Sequence, residues 1–191
     1  MRRLLLASCG LLMTVGVAHA TLIDLNDFYA DPAALVSSDG SSAVLMESQS
    51  FAFSSLSNDP LLGDPEVIVA TPGSTLLFDY LFRESEFGND EFGVWIIDPA
   101  TGSSIGGSLE SFIRDSGCGT LAFDLSPLAG MTGLGLQFQL SSLPGDDDVY
   151  ASVLAVSNVR INLNQVPEPA TLTLLGIGAA LLLVRVRRKA R

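Results

Sequence analysis

Apolar residues recur at every second position along the middle of this chain, and that spacing sets what it can fold into. In Thr75–Arg83, Leu76, Phe78, Tyr80 and Phe82 fall on one side of an extended backbone, with Thr75, Asp79 and Arg83 on the other. Gly133–Leu140 alternates Leu134, Leu136, Phe138 and Leu140 against Gly135, Gln137 and Gln139. Thr120–Leu125 groups Leu121, Phe123 and Leu125, and Phe51 and Phe53 flank Ala52 in the same way. A period of two marks a strand with one face in a core and the other toward water. Phe92–Ile97 is apolar on both faces and is expected to be a central strand. A long last strand is expected from Tyr150 to about Leu163, and a short helix around Leu25–Leu35.

Between these runs lie Ser37–Ser42, Ser57-Asn58-Asp59-Pro60, Thr71-Pro72-Gly73, Asp98–Gly102 and Pro144-Gly145-Asp146. They supply the Gly, Pro, Asn and Asp that tight turns require. Short strands punctuated in this way predict an all-β fold, an antiparallel β-sandwich of jelly-roll type. Thr21–Val166 is long enough for one such domain with a real core.

Charge is distributed in three blocks. Of the 21 acidic side chains only Glu168 lies outside Thr21–Asn164, whereas of the ten basic ones only Arg83, Arg114 and Arg160 lie inside it. A domain this acidic is not expected to bind nucleic acid, whose phosphates are met by Lys and Arg. The only histidine is His19 and the only lysine Lys189. If both ends are targeting segments, the working domain has no His or Lys and one thiol, Cys118. Histidine-based triads, His-ligated zinc and Schiff-base lysines are then excluded, and the domain is expected to be non-enzymatic.

The two ends read as addresses. Met1-Arg2-Arg3, the apolar run Leu4–Val17 and Ala18-His19-Ala20 are the three parts of a secretory signal peptide, with cleavage expected between Ala20 and Thr21. At the other end, Pro167-Glu168-Pro169 precedes the apolar run Ala170–Val184, whose 15 residues make about 22 Å of helix. Arg185, Arg187, Arg188, Lys189 and Arg191 follow, which places the extreme C-terminus on the cytoplasmic side of a single transmembrane helix.

Val166-Pro167-Glu168-Pro169, a short apolar helix and an Arg-rich end together resemble the PEP-CTERM sorting signal of exported proteins of Gram-negative bacteria. The resemblance covers only the tail. It implies processing at or near Pro167, Glu168 and Pro169 by an exosortase, a membrane-embedded cysteine protease, with the basic residues holding the tail at the cytoplasmic face. It also implies delivery to the cell envelope or to the exopolysaccharide matrix of a biofilm. The expected organisation is signal peptide 1–20, exported sandwich 21–166 and sorting signal 167–191. The expected partners are signal peptidase, the exosortase-type protease, the inner membrane and exopolysaccharide.

Within the domain, Glu84–Glu91 and Asp146-Asp147-Asp148 are acidic clusters. Asp90 with Asp146, Asp147 and Asp148 would suit Ca²⁺, which takes six to eight hard oxygens. The competing reading is a solvated acidic surface, and no other cofactor is expected. Trp95, Tyr80 and Tyr29 would make a sugar-stacking platform, against which stands the common use of a strand Trp as core. Cys118, in Ser116–Thr120, is expected at a turn and has no partner in the mature chain, so it stays free or pairs between molecules. A structural or adhesive component of the envelope or matrix is the first functional expectation. A carbohydrate-binding module is the alternative. A glycoside hydrolase built on a carboxylate pair is a remote one.

Overall fold

A computed structural model describes residues 19–48, 51–85, 90–98, 101, 103–105, 111–141 and 151–163. The chain from His19 to Asn164 forms a compact unit of its own. Its strands are β1 (His19–Leu22), β2 (Tyr29–Ala30), β3 (Ala34–Val36), β4 (Ser42–Met46), β5 (Phe53–Asn58) and β6 (Thr75–Arg83). They continue as β7 (Glu91–Asp98), β8 (Ser103–Ser104), β9 (Ser111–Ile113), β10 (Gly117–Asp124), β11 (Gly135–Ser141) and β12 (Val153–Leu163).

Two six-stranded sheets result, and every strand pairing is antiparallel. The first runs β10-β6-β12-β4-β3, with β1 also on β12; the second runs β2-β5-β11-β7-β8, with β9 also on β7. From β4 onward the chain crosses between sheets at nearly every connection, pausing only at β7-β8-β9. That alternation is the jelly-roll arrangement the strand spacing predicted.

In β6, β10 and β11 the inward face is the apolar set read from the sequence. Leu76, Phe78 and Phe82 of β6 are buried, as are Leu136, Phe138 and Leu140 of β11 and Phe123 of β10. The two sheets meet through aromatic rings: Phe78 lies edge-on to Phe138 with centroids 5.1 Å apart, and Phe92 meets Tyr80 at 5.2 Å and Phe82 at 5.5 Å. Such pairs add about 0.5–1.5 kcal/mol beyond the area they bury.

β12 shows how a strand changes neighbours. Leu154 and Val156 are inward, and so are Val159 and Ile161, three positions and not two after Val156. A bulge absorbs the extra residue: the register against β6 shifts between Ser157 and Arg160, and Asn158 adopts a left-handed φ of 53°. Before the bulge β12 pairs with β4, and after it with β1.

Several local expectations are corrected. Leu25–Leu35 is not a helix: only Leu25–Asp27 makes a 3₁₀ turn, and the short strands β2 and β3 follow, joined by a turn. The Asp24 carboxylate caps that turn by accepting from the Asn26 N–H, a local bond that does not propagate a helix. Phe51 and Phe53 are exposed, because β5 turns Ser54, Leu56 and Asn58 inward instead. Cys118 lies inside β10, which begins three residues earlier than expected, and its thiol is exposed on an edge strand. β12 starts at Val153, and Tyr150 lies outside the described residues. Among the described residues no helix is long and apolar enough to cross a membrane.

Candidate functional site

The outward face of the second sheet gathers the chemistry that its inward face excludes. Because β11 alternates, burying Leu136, Phe138 and Leu140 commits Gln137, Gln139 and Ser141 to the other side. The same parity turns Phe53, Ser55 and Ser57 of β5 outward, and Glu91, Gly93 and Trp95 of β7. Registers align these residues into rows. Tyr29 stands opposite Ser57, Ser57 opposite Gln137, and Gln137 opposite Trp95. The next row is Ser55, Gln139 and Gly93, and the third is Phe53, Ser141 and Glu91.

The first row has an aromatic side chain at each end. Tyr29 is exposed and Trp95 half-buried, separated by three strand spacings, about 14 Å at ~4.8 Å each. The six-membered ring of the indole occupies the space that the missing side chain of Gly93 leaves open. A methyl group at Gly93 would stand 2.6 Å from Cζ2 and 3.0 Å from Cζ3 of Trp95, and closer still to Cη2. Between the aromatics runs an oriented amide ladder: Gln137 Nε2 donates to Gln139 Oε1 at 3.1 Å, and Gln139 Nε2 donates to Ser141 Oγ at 2.8 Å. Each amide has two donors and two acceptor lone pairs, so the ladder fixes both side chains and uses only part of their capacity.

The margins of the face are charged and held. Asp31 Oδ2 accepts from Ser55 N–H at 2.8 Å and from Ser55 Oγ at 2.7 Å. On the opposite margin Arg114 Nε donates to Glu91 Oε2 at 2.8 Å. Beside Phe53 a shallow cleft of about 190 Å³ is lined by Asp31, Pro32, Ala33, Glu47, Ser48, Phe51, Phe53 and Ser54.

The structure separates the aromatic trio expected to form a platform. Tyr29 and Trp95 share a row, whereas Tyr80 sits on β6 of the other sheet and packs inward on Phe92. Trp95 is not a core residue, because its neighbours Val94 and Ile96 take the inward positions. Gln137 and Gln139 were visible in the sequence only as the polar half of an alternation. Ala20 and Thr21 are exposed in β1, where Ala20 pairs with Asn162 and Thr21 with Ile161. Asp90 is fully buried. Ala18, Asp146, Asp147, Asp148, Pro167, Glu168, Pro169, Arg185, Arg187, Arg188, Lys189 and Arg191 lie outside the described residues.

Residues 165–189 match the family described as the PEP-CTERM protein-sorting motif. The tail carries a PEP-CTERM sorting signal. No curated protein matches the chain. Among solved structures, the chain is similar to the enzymatically active domain of tailspike protein 4 of bacteriophage CBA120, at 13% identity and TM-score 0.39, covering 77% of this chain and 19% of that one. It is similar to a carbohydrate-binding module of the β-sandwich superfamily at 9% identity and TM-score 0.42, covering 76% of this chain and 57% of that one. It is also similar to the C-terminal CBM6 module of LamC, a marine laminarinase from Zobellia galactanivorans, at 14% identity and TM-score 0.35, covering 76% and 100%. The chain thus spans about a fifth of the tailspike chain and little more than half of the first binding module. At such identities and scores these likenesses carry no functional weight.

Proposed function

We propose that this protein is exported, anchored and processed through its PEP-CTERM tail by an exosortase-type protease, and then holds polysaccharide in the envelope or extracellular matrix without cutting it. The row Tyr29–Ser57–Gln137–Trp95 supports the glycan-holding part. Pyranose rings have apolar faces and rims of hydroxyls. Flat aromatic surfaces take the former, and side-chain amides, which donate and accept together, take the latter. Trp95, backed by Gly93, supplies the stacking surface; Gln137 and Gln139 supply the hydroxyl contacts; Tyr29 bounds the far end. A sugar chain would lie across the strands, along the row.

Carriage on a sorted, exported chain places this face where polysaccharide is plentiful, and the acidic surface keeps the domain soluble there. The reading unites the structural or adhesive role with the binding-module alternative. Electrophoresis of the His19–Asn164 domain through a native gel containing the host's exopolysaccharide tests it. Wild type is expected to be retarded, and Trp95→Ala to migrate as if no polysaccharide were present. Unretarded wild type would refute the binding role while leaving the sorting role intact.

A further inference from the structure

The layers of the sandwich core change character at one end. On the inner face of the first sheet, Leu154 pairs with Leu45 on one side and Phe82 on the other, and Phe82 meets Phe92 of the second sheet. All four are buried. Just beyond the ends of these strands, on the same face, that apolar layer gives way to the half-buried Glu47 and the buried Ser152 and Asp90, with Ser85 buried past the end of β6. Glu47 and Ser152 are bound to each other: the Glu47 N–H donates to the Ser152 carbonyl at 3.0 Å, and the Ser152 N–H to Glu47 Oε2 at 3.2 Å. Ser152 Oγ accepts from the Ser85 N–H at 2.8 Å.

Asp90 stands apart within this layer. It continues the inward parity of Phe92, Val94 and Ile96, its exposure is 0%, and among the described residues neither carboxylate oxygen has a hydrogen-bond partner. A carboxylate out of water with nothing to balance it is among the costliest groups a fold can hold, and buried charges are found paired or on metal ions.

We propose that Asp90 is the anchoring carboxylate of a Ca²⁺ site in this terminal layer of the sandwich. Among the described residues no three carboxylates converge on one point, so hydroxyl, main-chain carbonyl and water oxygens complete the shell. Ca²⁺ accepts such a mixture at flexible geometry, whereas Mg²⁺ demands a near-ideal octahedron and keeps its waters. The layer offers oxygen ligands only, and neither His nor Cys is among its members, which disfavours zinc. Sites in extracellular modules work at Kd values of roughly 10⁻⁴–10⁻³ M, the regime that suits an exported domain.

The test uses the His19–Asn164 domain, stripped with chelator and titrated with CaCl₂ by calorimetry. Thermal melts accompany it in CaCl₂ or MgCl₂ at equal ionic strength, because screening of the acidic surface would act alike with both. Wild type is expected to bind one Ca²⁺ and to melt higher in Ca²⁺ than in Mg²⁺, since an ion held only by the folded state stabilises it. Asp90→Asn is expected to weaken binding by more than roughly tenfold, the least loss seen when even a supporting partner of a ligand is removed, and to melt alike in the two salts. Asp90→Glu, which keeps the charge, is expected to retain a weaker Ca²⁺ response and serves if the Asn variant does not fold. Equal melts of wild type in both salts, with no binding heat, would overturn the proposal. So would an Asp90→Asn variant that binds Ca²⁺ like wild type.

Discussion

Gly93→Ala is the smallest change that reaches the stacking surface without touching Trp95 itself. The added methyl group would stand 2.6 Å from Cζ2 of the indole, against an ordinary carbon–carbon separation of about 3.5–4.0 Å. The ring must therefore lift by roughly 1 Å or tilt off the sheet. Crowding of this kind costs about 1–3 kcal/mol, and replacing a strand glycine by alanine returns about 0.5–1 kcal/mol, so the net loss should be small, about 0–2.5 kcal/mol. The protein has a single tryptophan, and its fluorescence therefore reports this ring alone. A red-shifted emission, a modest fall in Tm and a loss of polysaccharide retardation are expected together. Unchanged emission and full retardation in Gly93→Ala would refute the account of how Trp95 is held.

Phe138→Ala, which empties a fully buried site facing Phe78, should cost about 3–5 kcal/mol in urea unfolding, and a cycle with Phe78→Ala should show coupling of about 0.5–1.5 kcal/mol. Acid should weaken the fold through three surface carboxylates. The Ser37 and Ser41 hydroxyls and the Ser41 N–H hold Asp39 down to about 2, the Thr120 hydroxyl and the Asn158 amide hold Asp79 below 3.8, and Ser126 lowers Asp124. Folded values below the unfolded ones mean that these bonds stabilise above about pH 4 and are lost as pH falls toward 2; urea midpoints should drop through that window, less so in Asp39→Asn. In a host with an exosortase, wild type should appear shortened by about the mass of the tail, while the triple variant Pro167→Ala, Glu168→Ala, Pro169→Ala should stay full-length in the membrane. Normal shortening of that variant would refute the sorting role.

The sandwich was legible because burial on one side forces alternation, and β6, β10 and β11 are half-buried strands with clean patterns. Where the rule failed, tertiary context had overridden it. Phe51 and Phe53 alternate like core residues, yet Ser54 and Leu56 take the inward side. Local apolarity does not reveal which parity a short strand adopts when the polar set is serine, small enough to be buried. The bulge at Asn158 shifts the pattern of β12 by one residue, and its only mark in the sequence is the asparagine itself, a residue type that tolerates the left-handed region. The tail motif was readable because its three parts are contiguous in sequence. The glycan-facing row was not, because Tyr29, Ser57, Gln137 and Trp95 come from four strands and only the registers align them. Trp95 looked like core since its strand is apolar on both faces, and the clue lay in Gly93, two residues away on the same side.

The central claim is that this one face of the sandwich holds sugar. Calorimetric titration of the His19–Asn164 domain with oligosaccharides released from the host's exopolysaccharide tests it most directly, run beside Trp95→Ala, Gln137→Ala and a control, Leu81→Ala, on the exposed face of the other sheet. Binding by wild type and Leu81→Ala is expected, with Trp95→Ala weakened by roughly 1–3 kcal/mol, about 5- to 150-fold, the range for an aromatic ring that stacks on its ligand. Absence of binding by wild type, or equal binding by all four proteins, would contradict it.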